Sequence, residues 1–88
     1  MKNKFILESL ASDLKRVALG LHRGSNAMAK RFLEEVLKRK NEVEVKEVKP
    51  YISKILNHLN KNMRSDDALM YSTLIQNYTE RTFNYKDV

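Results

Sequence analysis

Apolar residues recur along this chain at intervals of three and four, and in four places that spacing predicts an amphipathic helix. Leu7, Leu10, Leu14, Val17, Ala18 and Leu21 fall on one side of a first helix over roughly 4–22. Met28, Phe32, Leu33, Val36 and Leu37 form the inner face of a second over roughly 25–40, with Lys30, Arg31, Glu34, Glu35, Lys38 and Arg39 outside. Val48, Ile52, Ile55, Leu56, Leu59 and Met63 carry a third over roughly 48–62. Met70, Tyr71, Leu74, Ile75 and Tyr78 mark the buried stripe of a fourth over roughly 66–83, which is expected to fray beyond Arg81.

The segments between these stripes hold the residues that stop and start helices. Gly20 and Gly24 loosen the end of the first, and Ser25 is the expected N-cap of the second, its hydroxyl taking an orphan backbone N–H. Pro50 suits a first turn, where its missing N–H does little harm. Ser65, Asp66 and Asp67 offer capping and negative charge at the positive end of the fourth helix. From Asn41 to Val48 valine alternates with charge, as in a strand, but a lone strand would have no partner. The segment therefore reads as a connector whose Val45 and Val48 already join the third stripe. The corners Arg23–Met28 and Arg64–Leu69 look alike, a similarity that capping chemistry explains without duplication.

Four such segments joined by short corners predict an all-α, up-and-down four-helix bundle forming a single helical domain over 1–88. Only 2 glycines and 1 proline agree with helices rather than a turn-rich β fold. With 0 cysteines there is no disulfide framework or thiolate metal site, which fits a reducing compartment. The first residues open like a signal peptide, but the apolar run Phe5-Ile6-Leu7 stops at Glu8 and no small-residue cleavage site follows. No stretch approaches the roughly 20 apolar residues that cross a bilayer. A cytoplasmic protein without a membrane partner is expected.

Catalysis leaves traces in residue choice, and these residues lack them. His22 and His58 have no acid or second histidine at ligand spacing. Glu34-Glu35 lacks the histidine of a helical carboxylate metal site, since Leu37 stands where it would fall. The pair is explained by exposed helical ion pairs, Lys30–Glu34, Arg31–Glu35, Glu34–Lys38 and Glu35–Arg39. Asp66-Asp67 is explained by capping. Tyr71 and Tyr78 read as core residues with a hydroxyl reaching water, while Tyr51 and Tyr85 are available as surface contacts. No catalytic residue, metal, cofactor or small-molecule substrate is expected, so the chain is not expected to be an enzyme.

Two kinds of partner remain. A core this thin gains from self-association, and Phe5, Leu19, Leu69 and Phe83 point away from the stripes, so they are the expected contact with a second copy or another protein. The alternative is nucleic acid, given the formal net charge of +6. Lys15, Arg16, Arg23, Lys30 and Arg31 fall in an acid-free window from Leu14 to Leu33, and Lys49, Lys54, Lys61 and Arg64 in a second. As a helix-turn-helix, the second helix would offer Asn26, Lys30 and Arg31 to a groove while Lys15, Arg16 and Arg23 held phosphates. Glu34 and Glu35 one turn further on oppose that arrangement. They equally interrupt the basic face a membrane-surface helix would need.

Overall fold

The computed structural model describes residues 2–83, and it is an all-α four-helix bundle: α1 (Lys2–Arg23), α2 (Asn26–Lys40), α3 (Pro50–His58) and α4 (Ser65–Phe83). A single 3-10 turn, Val45–Glu47, lies in the connector before α3. The long helix α1 packs against both α2 and α4, while the short α3 adds Ile52, Ile55 and Leu56 to the core. Leu7, Leu10, Leu14 and Val17 of α1 are fully buried, as the sequence stripe predicts. They meet Val36 of α2, Ile52, Ile55 and Leu56 of α3, and Ile75 of α4 in one cluster.

The α1–α2 corner is built from its two glycines. Gly24 has φ 76°, the left-handed conformation glycine adopts without penalty. The Ser25 N–H donates to the Gly20 carbonyl at 2.8 Å and the Gly24 N–H to that of Leu21 at 3.2 Å, the paired bonds of a Schellman ending. Ser25 does occupy the N-cap position of α2, but its hydroxyl makes no capping bond, because the Schellman turn has already fixed the chain entering α2. At α4 the cap is Arg64 rather than Ser65, and the Asp67 carboxylate, three residues on, accepts from the Arg64 N–H at 3.4 Å.

The third helix is shorter than its apolar spacing predicts. Pro50 begins it, with Lys49 as N-cap, but Leu59 is already extended. Asn60 competes for the backbone there, its Nδ2 donating to the His58 carbonyl at 2.9 Å and its Oδ1 accepting from the Asn62 N–H at 2.7 Å. Lys40 Nζ donates to the Leu59 carbonyl at 2.9 Å, satisfying an orphan acceptor beyond the helix end. Leu59 and Met63 remain buried without being helical.

The connector contains no strand, and its register differs from expectation. Buried Asn3 pairs twice with the backbone of Glu44, donating to its carbonyl at 3.1 Å and accepting from its N–H at 2.9 Å. With Glu44 pinned, Val43 joins the core, Val45 stands exposed and Val48 is only half-buried.

The largest departure is the rotation of α4. Ala68, Ser72, Ile75, Tyr78 and Thr79 are buried, whereas Met70 and Leu74, placed in the stripe by sequence, are 48% and 39% exposed. Small residues explain the turn: Ala68, Ser72 and Thr79 on α4 and Ala11 and Ala18 on α1 let the two backbones approach closely. The Ser72 hydroxyl donates to the Ala11 carbonyl at 2.6 Å. Tyr78 is buried, and its hydroxyl accepts from the Lys49 N–H at 3.3 Å.

Candidate interaction surfaces

Phe5, Leu19 and Leu69 are exposed, as the seam prediction requires, but Phe83 is not a free surface residue. It is half-buried with its ring edge-on to Tyr78 at 6.4 Å. Nor do the exposed three make one patch. Phe5 and Leu19 are 14 residues apart on α1, about 21 Å at the helical rise. Glu8, Ser12, Lys15 and Arg16 are exposed or part-exposed between them.

A more continuous apolar surface runs along α3 and α4. Tyr51 meets Tyr78 edge to face at 5.9 Å, and His58 stacks on Tyr71 at 6.5 Å and 18°. The partners are seven residues apart on each helix and in opposite order, so α3 runs antiparallel to α4. Met70 and Leu74 lie one turn apart on the α3 side of α4, and Tyr51, 46% exposed, extends the strip beyond Leu74. The sequence stripe concealed this surface by assigning Met70 and Leu74 to the core.

A second apolar surface is concave. A groove of about 520 Å³ lies between the C-terminal half of α1, the length of α2 and the corner before α4. Val17, Leu21, Leu33, Leu37 and Met63 form its floor and walls, and Asn26, Lys30, Glu34 and Lys61 its rim. A smaller cleft of about 370 Å³ between α1 and α4 is more polar, and Lys15, Glu8 and Glu80 are among its lining residues.

The basic residues nominated for nucleic acid are divided among these surfaces. Lys15 faces the α1–α4 cleft, Asn26 and Lys30 the groove, while Arg23 and Arg31 stand exposed. Arg16 is engaged already, donating to the Ser12 hydroxyl at 2.8 Å, 3.5 Å from Asp13 and 5.4 Å over the Phe32 ring. Contacts between α1 and α2 run from Gly20–Ala29 near the corner back to Asp13–Arg39. The pair is thus an antiparallel hairpin, not the two helices at roughly 90–120° of a helix-turn-helix. Of the four ion pairs expected on α2, Glu35–Arg39 forms at 3.6 Å, and no other is found among the described residues.

Asp13 is the electrostatic feature that sequence reading missed. Its carboxylate sits on the α1–α2 seam, 3.8 Å from Arg39 Nε, which is itself buried without a hydrogen-bond partner. Burial raises the Asp13 pKa above the ordinary carboxylate value, and the attraction of Arg39 and then Arg16 offsets only part of that rise. A folded-state pKa above the unfolded one means the native protein takes up this proton first as pH falls. The ionised group therefore opposes folding above its native pKa, and that opposition is relieved as pH drops through it. Urea denaturation between neutral pH and about pH 3 should show the unmodified protein gaining stability relative to Asp13→Asn as pH falls; the opposite trend would refute the assignment.

His22 and His58 are both exposed, and among the described residues no three His, Cys, Asp or Glu side chains gather as a metal site would need. No helix among those residues is long and apolar enough to cross a membrane. Tyr85 lies outside the described residues. Comparison with protein-family models, curated proteins and solved structures returns no match.

Proposed function

We propose that this protein is a non-catalytic association module that works by burying the α3–α4 strip against a second copy of itself. The carrying observation is that Tyr51, Met70 and Leu74 are between 39% and 48% exposed on one side of two packed helices. Each is large, and with less than half of its surface still in water, covering it contributes about half of the roughly 1.5–3 kcal/mol that full burial of such a side chain gives. Charge supports the same pairing. The start of α4 carries Asp66 and Asp67, while α3 and the corner after it carry Lys54 and Arg64. A two-fold arrangement laying α4 over the partner's α3 brings opposite signs together. Cytoplasmic residence, expected from the cysteine-free composition, belongs to the same proposal.

Sedimentation equilibrium tests it. The unmodified protein should sediment at twice the chain mass, and Leu74→Glu, at an exposed helical position, should give a folded monomer by circular dichroism. A monomer before any substitution, or a dimer indifferent to Leu74→Glu and Met70→Glu together, would end the proposal.

Nucleic-acid binding is the second reading, favoured by the charge of the α1–α2 hairpin. Each of these helices carries five basic and two acidic residues, an excess that together matches the net +6 of the whole chain. Duplex DNA or RNA affinity falling steeply with salt would support it. Anisotropy showing no binding at low salt would remove it.

A further inference from the structure

We infer that the groove between α1, α2 and the α3–α4 corner receives an amphipathic helix with an acidic polar face from a different protein. This site shares no residue with the self-association strip, so it stands whether or not the chain dimerises. The groove follows α2 from Asn26 to Leu37, about 16 Å or three turns at the helical rise. That length accepts apolar anchors spaced i, i+3 or i+4, and i+7, the pattern by which helices are read in grooves.

The walls supply apolar contact from three separate stretches of chain: Val17 and Leu21, Leu33 and Leu37, and Met63. Its volume of about 520 Å³ is ample for two or three leucine-sized anchors. Polarity is confined to the rim, where Lys30 and Lys61 come from different walls and Glu34 is the single acid. The surrounding hairpin holds the chain's entire positive excess, so an approaching anion is attracted before contact and a cation repelled. An acidic helix meets both lysines; a basic one meets both as repulsion, with Glu34 alone in its favour.

Fluorescence anisotropy with two labelled helical peptides of about 15 residues would decide the matter, their apolar positions identical and their polar faces either glutamate or lysine. At low salt the glutamate peptide should bind about tenfold or more tightly than its lysine twin, a difference of roughly 1.4 kcal/mol. The exposed double change Lys30→Glu, Lys61→Glu should reverse that preference without unfolding the protein. Methyl resonances of Leu21, Leu33, Leu37 and Met63 should shift with the glutamate peptide, while those of Met70 and Leu74 stay in place. Equal affinity for both peptides, no binding of either, or shifts at Leu74 instead would overturn the inference. So would dodecanoate moving the groove methyls when neither peptide does, since the occupant would then be a lipid chain.

Discussion

Gly20→Val is expected to lower stability by about 3 kcal/mol, which for a domain of this size lowers Tm by roughly 12–24 °C. A Cβ built at Gly20 would lie 2.9 Å from the backbone nitrogen of Ala29, 3.1 Å from its Cα and 3.2 Å from its Cβ. Two of those atoms are backbone, so no rotamer change relieves the contact and α2 itself must move away from α1. Separation here loosens the packing that buries Val17 and Val36 further along the hairpin. Gly20→Ala should lose less, because alanine recovers up to about 1 kcal/mol of helix propensity relative to glycine while meeting the same backbone. In urea, the midpoint should fall in the order wild type, alanine, valine. A valine variant as stable as the unmodified protein would mean that the helices do not approach this closely at position 20.

Gly20 also shows where the sequence was legible and where it was not. Leucine spacing located α1 and the bundle class because large apolar side chains at 3.6-residue periodicity have few other uses. Glycine in the same segment reads only as a weak point of a helix, since a close approach depends on a residue elsewhere, here Ala29, that local pattern does not identify. The end of α3 was misread for a related reason. Leu59 and Met63 keep helical spacing and are buried, but Asn60 captures the backbone between them. The candidate surfaces were harder still. The groove joins α2 to Lys61 and Met63, about thirty residues along the chain, and the α3–α4 strip exists only because α4 is rotated from the orientation its largest apolar residues favour. Asn26 and Lys30, which the charge pattern offers to a nucleic-acid groove, both line the concave surface between α1 and α2, a placement that local pattern does not reveal.

That rotation makes position 72 the most discriminating place to test the fold. Ser72 is buried, and its hydroxyl donates to the Ala11 carbonyl at 2.6 Å, so either the hydrogen bond or the small size could set the α1–α4 distance. The two effects differ in magnitude. Removing the hydroxyl in Ser72→Ala loses one neutral hydrogen bond, worth about 0.5–1.5 kcal/mol, and alanine's better helix propensity returns a few tenths. The Ala11 carbonyl is left with its acceptor role inside α1, so no buried group is orphaned. Ser72→Leu loses the same bond and forces three further carbons into the α1–α4 seam beside Ala11, an overpacking cost of about 3 kcal/mol. Leucine would ordinarily be favoured in a helix and in a core, so a purely pattern-based reading predicts a gain. A drop with leucine several times larger than with alanine, measured by thermal or urea unfolding, is therefore expected. Equal effects would give the hydrogen bond the controlling role, and a stabilised Ser72→Leu would return Met70 and Leu74 to the core and remove the surface on which self-association depends.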